Sequence, residues 1–310
     1  MSDLSEAQVD RFVTLPCGMK ICFRDAGEKS DPVILLIAGL GEDLTFWTDA
    51  VVDALVAHGF RVVSLDNRDA GQSGFATTPP PAVWRQVLAR PRRDGYTLED
   101  MARDAVGVLD HLGIEQVHLV GRSMGGMIAQ TIAATEPHRV LSLTSIYSTT
   151  GSRKVGQPAQ STIRLLMGPD ARSRTDAVRA HLRITRHIAG KEYPIDDAAE
   201  AAIAARGWDR AAGDLAAGGA RQIQAIQLSG DRTAVLGRIT APTLVINGDS
   251  DLMVAETGGA ATVRAIRGAQ HVVIPGMGHH MPETLVETIT GYIAQHAARV
   301  NEGGKHVEIS

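Results

Sequence analysis

The run Gly121-Arg122-Ser123-Met124-Gly125-Gly126 limits what this chain can fold into more than any other stretch. It follows the apolar segment Val117 to Val120 and leads into Met127, Ile128 and Ile132, a helix-like pattern. A strand that turns straight into a helix around one serine holds that serine in a strained conformation with its hydroxyl exposed. The close approach of strand and helix then leaves no room for Cβ atoms at the flanking positions, here Gly121 and Gly125. This is the pattern of a nucleophile elbow. It points to hydrolysis through Ser123 when a strand precedes it, a helix follows, and partner residues come in the right order.

The rest of the chain supplies the sheet that such a turn needs. Val33 to Ala38, Arg61 to Leu65 and Val117 to Val120 are apolar runs suited to strands buried on both faces, and helix-like segments separate them. That alternation predicts a parallel sheet with crossover helices. Arg11 to Leu15 and Ile21 to Arg24 predict an edge hairpin turning at Pro16 to Met19, after a polar N-terminus expected to fray. Thr97 and Asp100 form a capping-box start for a helix whose residues Leu98, Met101, Ala105, Leu109 and Leu112 share one face until Gly113. Leu141 to Ile146 is a further strand. From about Tyr147 to Leu236 the chain becomes Arg- and Ala-rich and helical in character, which predicts a lid (147–236) inserted into a core made of 1–146 and 237–310. Strand character resumes at Thr243 to Asn247 and His271 to Ile274. A last helix is expected from Met281-Pro282-Glu283, with a frayed tail from Asn301. The irregular stretch Phe75 to Gly95 is expected above the same sheet edge as the elbow, as a candidate to join the lid.

Composition removes several function classes. A net charge of -4 and a pI near 6.3 give no electrostatic footprint for nucleic acid, and no basic stripe suggests a membrane partner. The first thirty residues hold no apolar signal segment, so a cytoplasmic protein acting on small neutral or weakly polar molecules is the expectation. Histidines other than those after the last strand lack metal-ligand spacing, so no metal is expected, and hydrolysis through an activated serine needs no cofactor. Cys17 and Cys22 are close enough for a cross-strand disulfide, although two free thiols fit a cytosolic chain better.

Serine is a poor nucleophile at neutral pH, so Ser123 requires a base oriented by a carboxylate. In the order nucleophile, acid, histidine, the strand at Thr243 leads into Gly248-Asp249-Ser250-Asp251, and the strand at His271 leads into Gly276-Met277-Gly278-His279-His280. Both loops lie beyond C-terminal strand ends, where open α/β sheets place their ligand crevice.

Taken with Gly39-Leu40-Gly41 and the run Asp66-Asn67-Arg68-Asp69-Ala70-Gly71-Gln72-Ser73, these features resemble the α/β-hydrolase superfamily over nearly the whole chain. The Asp66 run is similar to that of esterases related to aclacinomycin methylesterase, with an acidic residue where glycine is more usual. The resemblance implies an α/β-hydrolase fold with a mostly parallel twisted sheet, helices on both faces and a helical lid. It assigns the acid to Asp251 rather than Asp249 and the base to His279 rather than His280. It places the two oxyanion donors at the backbone amides of Met124 and Leu40. It also implies a serine hydrolase of small-molecule carboxylic esters; lactones, thioesters, carbon-carbon cleavage or a slow-turnover receptor are alternatives. The histidine that usually precedes the Gly-Leu-Gly turn is Ala38 here, so a side-chain anchor for that loop is expected to be missing.

Other residues carry blander readings. Asp66, Arg68 and Asp69 are expected to brace loops, and Arg122 to pair locally. Arg164, Arg179, Arg183 and Arg186 are expected on a solvated face. Trp84, Met167, Phe46 and Trp47 are pocket walls or ordinary core; Trp84 and Met167 are the pocket candidates taken forward.

Overall fold

The computed structural model describes residues 9–304. Eight strands form one sheet in the order β1-β2-β4-β3-β5-β6-β7-β8. They are β1 (Arg11–Thr14), β2 (Lys20–Ala26), β3 (Val33–Ile37), β4 (Arg61–Leu65), β5 (Val117–Arg122), β6 (Val140–Ile146), β7 (Thr243–Gly248) and β8 (Gln270–Ile274). The pairs β1/β2 and β2/β4 are antiparallel and all others are parallel. Each apolar run of the sequence becomes a strand because burial on both faces favours uninterrupted Val, Ile and Leu. In β3, Leu35 and Ile37 pack into one core with α3 (Leu98–His111) and α4 (Met124–Thr135). Ile34 and Leu36 face the opposite core with α1 (Asp49–Ala57) and α11 (Glu283–Gly304). The capping box of α3 forms as the sequence predicts: the Thr97 hydroxyl accepts from Asp100 N, and the Asp100 carboxylate accepts from Thr97 N at 2.7 Å.

Between β6 and β7 lie α5 (Gln160–Leu166), α6 (Arg174–Ile188), α7 (Asp197–Arg210), α8 (Leu215–Ser229) and α9 (Thr233–Leu236). The stretch from Phe75 to Gly95 contains one short helix, α2 (Val83–Val87). It is tied to α8 by Arg92 N on Gln224 Oε1 at 3.0 Å and by Gln227 Nε2 on the Gln86 carbonyl at 2.8 Å. The final helix corrects the expected fray point, since α11 continues through Asn301 to Gly304. The N-terminal residues 1–8 and the tail 305–310, both expected to fray, lie outside the described residues. Cys17 is exposed and Cys22 buried, and both are free thiols. Burial pushes the Cys22 thiol up to about 12, which keeps it protonated and unreactive.

Candidate active site

Three loops at the C-terminal ends of β5, β7 and β8 converge. Ser123, between β5 and α4, has φ 52° and ψ -120°, a strained conformation for a residue with a side chain. Its amide donates to the Ile146 carbonyl at 2.9 Å, and its carbonyl accepts from Ser148 Oγ at 2.7 Å, so the neighbouring strand end holds the strain. The flanking glycines are sterically required. A Cβ on Gly121 would lie 2.2 Å from the Gly125 carbonyl oxygen, and one on Gly125 would lie 2.1 Å from that of Ile37.

His279 Nε2 lies 2.9 Å from Ser123 Oγ, and His279 Nδ1 lies 2.7 Å from Asp251 Oδ2. The other Asp251 oxygen accepts from the amides of Met253 and Val254 at 2.7 and 2.8 Å, which fixes the carboxylate plane. Both neighbouring candidates are occupied elsewhere. Asp249 Oδ1 accepts from Gly276 N at 2.7 Å and so braces the loop that carries His279. His280 Nε2 faces Glu200 Oε1 at 3.2 Å, on α7. The His279 backbone is itself held from α6: its amide donates to the Ile188 carbonyl at 2.7 Å, and that of Gly278 donates to the Ala189 carbonyl at 3.0 Å.

The loop after β3 sits against the same helix start, since a Cβ on Gly125 would also strike the Ala38 carbonyl. Met124 opens α4, where backbone N–H groups lack intrahelical acceptors. Leu40 stands between Gly39 and Gly41, and both glycine amides are held by side chains: Gly39 N donates to Glu42 Oε2 at 2.7 Å and Gly41 N to Gln222 Oε1 at 2.8 Å. Asn67 Nδ2 donates to the Ala38 carbonyl at 3.0 Å. This corrects the expectation of an unanchored loop: position 38 supplies no anchor, but Glu42, Asn67 and Gln222 do.

Arg122 pairs with Glu42 at 2.8 Å, eighty residues away in sequence and adjacent in space, and donates to the Phe46 carbonyl at 3.0 Å. Tyr147, fully buried just past β6 and at positive φ (35°), lays its ring 4.5 Å from that of His279. Sequence reasoning missed Tyr147, Glu42 and Gln222 as parts of the site. The signal for Tyr147 was its place directly after a parallel strand, and for Glu42 a charge within the β3 loop; Gln222 carried none. Trp84 on α2 and Met167 after α5 are 52% and 60% exposed. Phe46 and Trp47 adjoin Arg122, with Trp47 buried.

The charges around the site behave as braces. Asp66 Oδ1 and Oδ2 accept from the amides of Leu44 and Gln72 at 2.7 and 2.8 Å, and Oδ2 also meets Arg210 at 2.9 Å. Arg68 pairs with Asp104 at 2.5 Å, and Asp69 with Arg221 at 2.6 Å. Burial raises the Asp66 carboxyl to about 6 against the pull of Arg210. Burial also acts to raise Glu200, but hydrogen bonds from His181 and His280 outweigh it and hold that carboxyl at about 2. Arg164, Arg179, Arg183 and Arg186 are exposed, as expected of a solvated face. Among the described residues no group of three or more His, Cys, Asp and Glu could hold a metal ion, and no helix is long and apolar enough to cross a membrane.

The sequence profile of the alpha/beta hydrolase fold family matches residues 32–284. The chain belongs to the α/β-hydrolase family. Among curated relatives, a 2-hydroxy-6-oxononadienedioate/2-hydroxy-6-oxononatrienedioate hydrolase of Paraburkholderia xenovorans is 29% identical over 90% of this chain and 92% of its own. Rhodomycin D methylesterase DnrP of Streptomyces peucetius is 27% identical over 87% of this chain and 92% of its own. Of solved structures, the enol-lactonase of Burkholderia xenovorans superposes with a TM-score of 0.70 at 24% identity, covering 93% of this chain and all of that one. At that identity the likeness speaks for the α/β-hydrolase fold alone. The chain is thus a hydrolase of this family with a mostly parallel sheet.

Proposed function

We propose that this hydrolase cleaves small-molecule carboxylic esters through Ser123, His279 and Asp251, by way of an acyl-enzyme. The reading rests on the unbroken relay from Ser123 Oγ to His279 Nε2 at 2.9 Å and from His279 Nδ1 to Asp251 at 2.7 Å. His279 removes the Ser123 proton as the hydroxyl attacks the ester carbonyl. Asp251 holds the imidazole tautomer and stabilises its cationic form. Charge develops on the former carbonyl oxygen beside the amides of Leu40 and Met124, each such donor being worth a factor of about 10² to 10³ in rate. His279 then gives its proton to the departing alkoxide, takes one from the water that attacks the acyl carbonyl, and returns it to the Ser123 oxygen as the acid leaves. The segment 147–236, with Phe75 to Gly95, shapes the acyl and alcohol pocket, with Trp84 and Met167 as proposed contacts. No cofactor enters these steps.

A dioate hydrolysis like that named for the Paraburkholderia relative is the second reading. A dianionic substrate calls for a cation near the nucleophile, and Arg122, next to Ser123, is already engaged by Glu42. That favours neutral esters, including methyl esters of bulky alcohols or acids. The test is a panel of esters varied separately on the acyl and alcohol sides, run beside a 2-hydroxy-6-oxodienoate and an enol-lactone. Steady ester turnover with a Ser123-linked acyl group caught by mass spectrometry supports the proposal. Turnover of the dienoate alone, or ester turnover that survives Ser123→Ala, rejects it.

A further inference from the structure

Arg122 is a buried charge and Glu42 a half-buried one, and the relay uses neither. Their placement links three parts of the site. One Glu42 oxygen receives the Gly39 amide at 2.7 Å, and the other receives Arg122 Nη2 at 2.8 Å. A Cβ on Gly39 would lie 2.7 Å from that first oxygen, so a side chain there would push the carboxylate from its present place. Arg122 is 8% exposed; its guanidinium lies 5.7 Å from the ring centres of both Trp47 and Tyr147, and its second terminal nitrogen is fixed on the Phe46 carbonyl. Tyr147 in turn packs on the His279 ring. A rigid block therefore runs from the loop bearing Leu40, through Glu42, Arg122 and Tyr147, to the base.

We infer that the Glu42–Arg122 pair is the positioning device of the oxyanion loop, taking the place of the side chain that Ala38 lacks. The inference rests on the esterase reading above. Glu42 sets the direction of the Gly39 peptide and thereby of the Leu40 amide that follows it. Alone, a carboxylate at this place would repel the negative charge that forms on the carbonyl oxygen; Arg122 cancels that repulsion. The pair thus acts only when charge develops, and its loss lowers turnover while leaving ground-state binding intact.

The experiment measures kcat and KM for a short p-nitrophenyl ester in wild type, Glu42→Ala, Glu42→Gln and Ser123→Ala. Beside these, inhibition is measured with an aryl trifluoromethyl ketone, which forms a tetrahedral oxyanion on serine, and with the matching carbinol, which forms none. In Glu42→Ala, kcat falls about 100-fold and ketone affinity weakens by a similar factor, as for loss of one oxyanion donor. KM and carbinol affinity stay within about threefold of wild type because they report ground-state contacts. Glu42→Gln keeps one acceptor oxygen but loses the ion pair, and falls between the two. A folded variant with unchanged kcat, or a fall in kcat that leaves ketone affinity unmoved, overturns the inference. Should Glu42→Ala fail to fold, the near-isosteric Glu42→Gln decides alone. Full turnover in Ser123→Ala defeats the esterase reading instead, whereas its loss beside unaffected Glu42 variants defeats only the role of the pair.

Discussion

The sheet and the segment laid over it are held together by different physics. In β3 all five side chains are apolar and buried, shared between two cores. In the helices between β6 and β7, the buried side chains include Thr162, Thr185, Glu200, Arg221, Gln222 and Gln224. Those helices place Ala225 and Leu236 in the core and add polar pairs across to it: Arg210 to Asp66 and Asp43, Arg221 to Asp69, Gln222 to the β3 loop. Apolar burial is tolerant of small shifts, because one methyl contact replaces another. A buried ion pair is not, because losing one partner leaves the other charged and unsolvated. The sheet therefore supplies a durable frame, and the overlying segment fixes positions by discrete contacts.

The largest test of this contrast is kinetic. Ser123→Ala and Asp251→Asn each lower ester kcat by about 10⁴-fold or more, as when triad members are removed elsewhere. Asp249→Asn, which alters the acceptor for Gly276 N and Ser250 Oγ, lowers it by no more than about tenfold, in line with the modest worth of such hydrogen bonds. An Asp249 effect equal to that of Asp251 would reverse the assignment.

The second test concerns stability. Arg210→Met strands the buried carboxylates of Asp66 and Asp43 and is expected to cost about 3–5 kcal/mol in urea unfolding. Its pH dependence has a definite sign. The Asp66 carboxyl is already raised to about 6 in the fold, so its contribution is fully present below its unfolded value and is lost as pH rises through 6. Without Arg210 that carboxyl rises further, and the deficit against wild type widens between pH 5 and pH 8. A deficit that is flat or shrinks across that range breaks the comparison. The smallest effect belongs to the outer face: Arg179→Ala shifts the melting temperature by no more than about 2 °C and leaves turnover unchanged. A larger shift would mean that the segment depends on its solvated charges as well as its buried ones.

The same division explains what could be read from the sequence. Strands and their order of chemistry were legible because apolar runs and the motifs around Ser123, Asp251 and His279 are local patterns. The α3 start was legible for the same reason, with both partners of its capping box three residues apart. Glu42 and Arg122 lie eighty residues apart, and Gln222 lies 181 residues from Gly41. A polar pair across such a distance leaves no periodicity in either segment, and Ala38 marked only what was missing. The fray point at Asn301 was misplaced because a polar composition was taken to end a helix that continues to Gly304.

The hold of α6 on the base has a further consequence for how this molecule can move. The carbonyls of Ile188 and Ala189 grip the amides of His279 and Gly278 directly. Any swing of that helix end away from the sheet drags the imidazole with it and disarms the serine. The contacts that place the imidazole thus tie the geometry of the relay to the position of that helix end.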